Sequence, residues 1–219
     1  GTAATVNADA PAVLAEEAKR LGAGIVHFST DYVFDGHKAS PYVETDAPAP
    51  LNVYGRTKLE GERRVVASGA RYLILRTSWV YAARGKNFLN SVLALAATRA
   101  ELRMVDDQRG APTSAGAIAR VVSEILRSPW ESGLYHMSCA GETTWCGFAR
   151  EVFRQAAALM PGRPEGHFWM AANMGALAES HAPSEASRSP ARVPGAMCAG
   201  APIAWPTWRL PSARPRKGW

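Results

Sequence analysis

Amphipathic helical stretches alternate with short apolar runs over residues 1–164, and few architectures accept that order. Asp9 suits a helix N-cap and Pro11 a first helical turn, opening a stretch from Ala12 to Leu21. Gly22 and Gly24 stop it, and Ile25 to Phe28 reads as a buried strand. A long loop, Thr30 to Leu51, is rich in Pro, Gly, Asp and aromatic residues. Asn52 to Ala67 reads as a helix with Glu60, Glu62, Arg63 and Arg64 on its wet side, followed by a strand from Tyr72 to Arg76. The pattern continues with a helix Phe88 to Thr98, a short strand Leu102 to Val105, a helix Ala115 to Leu126 and a strand Leu134 to Met137. Thr143 and Thr144 then cap a helix reaching about Leu159. Strands alternating with helices predict an α/β domain, a doubly wound parallel sheet with helices on both faces. Ligands of such sheets bind beyond the carboxyl ends of the strands. Ser29-Thr30-Asp31 falls at one such end and Thr77-Ser78-Trp79 at another.

Composition narrows the function classes. Hydrophobic residues make up 47% and charged residues 20%, ordinary for a globular chain. No apolar run is long enough for a membrane-spanning helix, and no signal peptide is visible after Gly1. Three scattered cysteines, Cys139, Cys146 and Cys198, lack metal-site spacing and fit a reducing cytoplasm. Cys139 and Cys146 have no partner base, so no thiol nucleophile is expected. His27 and His136 sit within apolar strands and read as core histidines. The net charge is +6; residues 165–219 hold six Lys/Arg and three Asp/Glu, so half of the excess lies in that tail. The body is only mildly basic and carries no basic stripe for nucleic acid.

Tyr54 and Lys58 are four residues apart on the second helix and share a face. A phenol beside an ammonium can transfer a proton, because the positive charge favours the phenolate. Many Tyr-x-x-x-Lys pairs are only surface neighbours, and the flanking words decide this one.

Thr30 upstream, then Tyr54 and Lys58 on the following helix, resemble the extended short-chain dehydrogenase/reductase superfamily. The segments Phe28-Ser29-Thr30-Asp31-Tyr32-Val33-Phe34-Asp35-Gly36, Tyr54-Gly55-Arg56-Thr57-Lys58-Leu59-Glu60-Gly61-Glu62 and Leu75-Arg76-Thr77-Ser78-Trp79-Val80-Tyr81 are similar to the dTDP-4-dehydrorhamnose reductases. Asp107-Gln108 with Gly110-Ala111-Pro112-Thr113 adds a fourth match, and together they span Val6 to Leu159. The resemblance implies a Rossmann-like fold, an NADPH or NADH cofactor, and reduction of dTDP-4-dehydrorhamnose to dTDP-L-rhamnose. It implies that Tyr54 donates the proton, and that Lys58 lowers the Tyr54 pKa and binds the nicotinamide ribose. Thr30 and Asp31 would meet the sugar and Trp79 would pack on the sugar nucleotide. Asp107, Gln108 and Thr113 would form a substrate-side loop, and Arg76 a structural ion pair. Some family members are associated with magnesium, but no acidic cluster is assigned to it here. The expected partners are a dTDP-sugar and a second subunit in a homodimer, with no nucleic acid and no membrane. Thr30 followed by Asp31-Tyr32 favours the reductase over a dehydratase. The alternatives are a sugar-nucleotide epimerase and a non-catalytic regulatory subunit of the same fold.

The chain departs from the family at both ends. A glycine-rich turn that would hold the pyrophosphate at a helix N-terminus is missing, because Gly22-Ala23-Gly24 precedes a strand. The sheet is therefore expected to lack its first strands, with Gly1 to Asn7 the remains of that region, running into the helix that begins near Pro11. The loop that would discriminate NADPH from NADH would lie in the missing part. Alone, the chain is expected neither to bind the cofactor tightly nor to turn over. Residues 1–164 form the expected partial reductase domain. Residues 165–219, with twelve Ala, seven Pro and four Trp but only four Val, Ile or Leu, read as a low-order tail. A reading-frame shift near Pro164 in a GC-rich gene would produce it, and an uninterrupted frame across Pro164 in the genomic DNA would refute that origin.

Overall fold

The computed structural model describes residues 1–99 and 101–159, so the boundary at 164 and the tail 165–219 lie outside the described residues. The N-terminal segment is helical throughout: α1 (Thr2–Ala4) passes through a π-type turn (Thr5–Asp9) into α2 (Ala10–Arg20). Asp9 therefore does not cap. Its backbone is already helical, and its carboxylate pairs with Arg64 at 2.5 Å. Gly22, at φ 66°, turns the chain out of α2. Strand β1 (Gly24–Thr30) follows, then a 3₁₀ turn (Asp31–Val33) and the loop to α3 (Val53–Ala67). Beyond α3 come β2 (Arg71–Thr77), β3 (Val80–Tyr81) and α4 (Phe88–Ala96). The rest is β4 (Arg109–Gly110), β5 (Thr113–Ser114), α5 (Ala115–Leu126), β6 (Gly133–His136), β7 (Thr143–Thr144) and α6 (Trp145–Leu159).

The main sheet is parallel, in the order β1-β2-β6, with Thr30 opposite Thr77 and Arg76 opposite His136. Alternation along β2 sends successive side chains to opposite faces. Leu73 and Leu75 pack with Ile118 and Met137 and with Val121, Val122 and Ile125 of α5. Ile74 faces the other way, onto Ala15 of α2 and Val65 of α3. Helices thus cover both faces, as the alternating sequence predicts, and β1 pairs on one side only among the described residues. A separate core joins α4 to α6 through Val92, Ala96, Ala149 and Phe153. Leu102 to Val105 is not a strand. Leu102 and Met104 rest on that helical core, and the alternation that suggests a strand instead serves this packing. Two small ribbons complete the fold, β3 with β5 in parallel and β4 with β7 antiparallel. Side-chain oxygens of Asn52, Asn87 and Ser114 cap α3, α4 and α5.

Glu62 is not on a wet face. It is 3% exposed and meets Arg76 of β2 in a bidentate pair, Nε to Oε1 at 2.9 Å and Nη2 to Oε2 at 2.6 Å. A carboxylate at that depth is tolerated because the guanidinium satisfies both of its oxygens. The Arg76 guanidinium also lies 5.0 Å from the Phe34 ring centroid, tying the loop after β1 to the sheet. Removing one partner leaves a buried, uncompensated charge, so Glu62→Ala is expected to lower stability by about 3–5 kcal/mol. Replacing the pair with apolar residues, Glu62→Leu with Arg76→Met, is expected to restore most of the loss. Urea denaturation of the two variants measures both, and a Glu62→Ala protein as stable as wild type would contradict the assignment.

Candidate active site

Strand β1 delivers Thr30 to its carboxyl end, where the backbone turns abruptly into the 3₁₀ turn. The Thr30 hydroxyl accepts from the Tyr32 N–H at 3.3 Å and donates to Asp31 Oδ1 at 3.0 Å. Helix α3 starts against this turn. Gly55 lies so close to the Tyr32 carbonyl that a Cβ there would overlap its oxygen, so the helix can approach only with glycine at that position. Asn52 caps the helix by accepting from Gly55 N–H at 2.7 Å. Together these contacts bring Tyr54 onto the strand end. Its ring meets Tyr32 edge to face at 5.9 Å, and its phenol is near enough to Thr30 and Asp31 for both to act on its pKa. One turn further on, the Lys58 Nζ donates to the Phe28 carbonyl at 2.6 Å.

Thr30, Asp31, Tyr54 and Lys58 are thus gathered at one strand end. Thr30 is 5% exposed while Tyr54 is 48% exposed, so the hydroxyl is fixed and the phenol faces the open side. Their electrostatics differ from the expectation that Lys58 depresses the Tyr54 pKa. Burial raises the phenol above its ordinary value, Asp31 and Tyr32 raise it further, and only the Thr30 hydrogen bond acts the other way. The Lys58 ammonium is held by the Phe28 carbonyl, and burial lowers its own pKa. That contact uses one of three ammonium donors and leaves two for another ligand. Burial also lifts Asp31 to about 6. His27, on the strand face shared with Glu62 and Lys58, is pushed down to about 4 by burial and by Lys58.

Trp79 lies two residues beyond Thr77, the neighbour of Thr30 across the sheet. Its ring stacks on Trp145 of α6, 3.6 Å between centroids, rather than on the Tyr32–Tyr54 pair. Arg76 forms the structural ion pair expected of it. In the segment Asp107 to Thr113 the residues part company. Asp107 is exposed, Gln108 accepts from Trp145 Nε1 at 3.1 Å, and Thr113 is fully buried, donating to the Ala111 carbonyl at 2.9 Å. Thr113 is therefore a framework residue. Two residues near the site escape the sequence reading. Glu62 is four residues from Lys58, and that helical spacing puts it on the Tyr54–Lys58 face. Trp145 follows the Thr143-Thr144 pair, and nothing in its neighbourhood announces its partner.

Among the described residues no group of three or more His, Cys, Asp or Glu could hold a metal, and no helix is long and apolar enough to cross a membrane. The model for the RmlD substrate binding domain matches residues 1–194. The chain belongs to this family. It is 49% identical over 158 residues to the dTDP-4-dehydrorhamnose reductase of Burkholderia thailandensis, covering 68% of this chain and 53% of that protein. Among solved structures it is similar to a dTDP-4-dehydrorhamnose reductase from Clostridium acetobutylicum, with TM-score 0.66, 44% identity, and 69% and 53% of the two chains covered. The same enzyme from Bacillus anthracis, solved in complex with NADP, gives TM-score 0.66 at 36% identity and 68% and 54% coverage. The chain spans about half the length of the curated relatives it matches. Rossmann-like reductases thus share the fold described above.

The two perturbed groups make opposite contributions to stability against pH. Asp31, raised from 3.8 to about 6, favours the folded state fully below pH 3.8, and this contribution fades as pH rises through 6. His27, lowered from 6.5 to about 4, disfavours the folded state at low pH and recovers as pH rises through 6.5. Relative to wild type, Asp31→Asn is therefore expected to gain stability as pH rises through 4–6, and His27→Gln to lose it. Chemical denaturation across that range checks both signs, and matching slopes in the two variants would overturn the assignment.

Proposed function

We propose that the site serves NADPH-dependent reduction of the C4 carbonyl of dTDP-4-dehydrorhamnose to give dTDP-L-rhamnose. The observation that carries this reading is the meeting of Tyr54 with Thr30 at the end of β1, one helical turn from Lys58. A bound nicotinamide would supply the hydride. The residues here would manage the oxygen. Thr30, fixed by Asp31 and the Tyr32 N–H, would hydrogen-bond the sugar carbonyl. The Tyr54 phenol, whose pKa burial raises, would donate its proton to the developing alkoxide. Lys58 would turn a spare donor to the nicotinamide ribose, and its charge would stabilise the phenolate once the proton has left. Trp79 and Asp31 would line the sugar-nucleotide side. The Bacillus anthracis reductase solved with NADP supports NADPH over NADH.

The 219 residues contain no glycine-rich turn between a first strand and a helix, so they offer no cradle for the pyrophosphate. By themselves they are expected to be inactive and to show no micromolar affinity for NADPH. A fluorescence titration that finds such affinity overturns this point. In a chain that joins these residues to a glycine-rich strand–helix–strand half, Tyr54→Phe is expected to lower kcat about 10²–10⁴-fold. The loss of NADPH absorbance with the keto-sugar nucleotide measures it. Turnover unchanged by Tyr54→Phe would exclude the phenol as acid, and a joined chain with no turnover at all would favour a non-catalytic partner of the same fold.

A further inference from the structure

Trp79 is the one non-glycine residue in the left-handed backbone region among the described residues, at φ 47°. A bulky side chain stays there only where its surroundings over-determine it. Four contacts do so. The Trp79 carbonyl accepts from Thr113 N–H at 3.2 Å, and the neighbouring Ser78 hydroxyl donates to the Ala111 carbonyl at 3.2 Å. Its indole lies against Gly110, where a Cβ would overlap the ring. Its face stacks on Trp145 with 10° between planes.

Trp145 is itself immobilised. Its Nε1 donates to Gln108 Oε1 at 3.1 Å, and Phe88 packs 4.5 Å from it. The β4–β7 ribbon places both walls of the slot, because Gly110 pairs with Thr143 and Trp145 follows Thr144. Two further contacts pin that ribbon, Arg109 to Glu142 at 2.7 Å and the Thr144 hydroxyl to Asp106. Trp79 as a residue is only partly buried.

We infer that Trp145 is a positioning residue for nucleotide binding: with Gln108 it locks the Trp79 indole as a rigid wall of the sugar-nucleotide cleft. The inference rests on the reading above that Trp79 packs on the substrate. An aromatic surface fixed before binding loses less entropy on meeting its ligand than a mobile one. Gln108 and Gly110 of the Asp107–Thr113 segment thereby act on the nucleotide through Trp79, without touching it.

The test uses the 219-residue chain with dTDP as probe. Stacked indoles give an exciton couplet in the far-ultraviolet circular dichroism, which reports the stack independently of binding, and calorimetry gives the affinity. Trp145→Leu is expected to erase the couplet and weaken dTDP binding about tenfold, whereas Trp145→Phe, which can still stack, stays within about threefold of wild type. Gln108→Leu removes one hydrogen bond and is expected to weaken binding about threefold with a diminished couplet. Should Trp145→Leu fail to fold, Gln108→Leu carries the same test. A merely structural role would lower the melting temperature and leave dTDP affinity, measured well below it, unchanged. Loss of the couplet with unchanged affinity therefore overturns the inference alone. A wild-type chain that shows the couplet and does not bind dTDP overturns the proposed function, and the inference with it.

Discussion

The seam between α3 and the first two strands is the constraint on which the rest depends. One face of α3 carries Tyr54, Lys58 and Glu62 at successive four-residue steps. Lys58 is bound to β1 through the Phe28 carbonyl, and Glu62 to β2 through the Arg76 guanidinium. Gly55 permits the close approach that brings Tyr54 over the end of β1. Three of these residues are polar and buried or half-buried, so the seam tolerates no slippage. A shift of one residue would strand Glu62 in an apolar interior, with the desolvation penalty that an unpaired charge carries.

That geometry also sets the charges. The site gathers a phenol with its pKa raised, an ammonium with its pKa lowered and a carboxyl lifted to about 6. Burial is the largest cause for each, and it favours the neutral form of all three. A site assembled this way responds to a charged ligand, because one arriving charge acts on three neighbours whose ionisation burial already disfavours.

Local signals carry much of this fold. The α5 boundaries, Ala115–Leu126, follow directly from periodicity, and α3 differs only in that Asn52 caps it from outside. Strands β1 and β2 run a residue or two beyond their apolar cores, because Gly24 pairs with Arg71 and Thr30 with Thr77 whatever their hydropathy, and β6 is shifted by one residue, to Gly133–His136. Where reasoning from the sequence fails, the cause is tertiary. Charge alone suggests that Glu62 is wet, but its partner lies 14 residues away on a strand. Leu102 to Val105 alternates like a strand, but Leu102 and Met104 use that alternation to pack on the core between α4 and α6. Thr30, Asp31, Tyr54 and Lys58 could be read because they fall on one strand end and one helix face. Trp145 could not, because its stacking partner sits in a distant loop.

The two halves of the site also differ in how they can come into being. The Lys58–Phe28 link closes a span of 30 residues, and Tyr54 and Thr30 lie inside it. The corner of Thr30, Tyr54 and Lys58 is built from β1, the loop and α3, with β2 holding α3 through the Glu62–Arg76 pair, all within residues 24–77. The Trp79–Trp145 wall needs β2, both ribbons and the start of α6 in place, with Gln108 bridging 37 positions to Trp145. During synthesis from the N-terminus, every residue of the Thr30–Tyr54–Lys58 corner is therefore made before Trp145: a growing chain could assemble that corner while the partner of Trp79 did not yet exist.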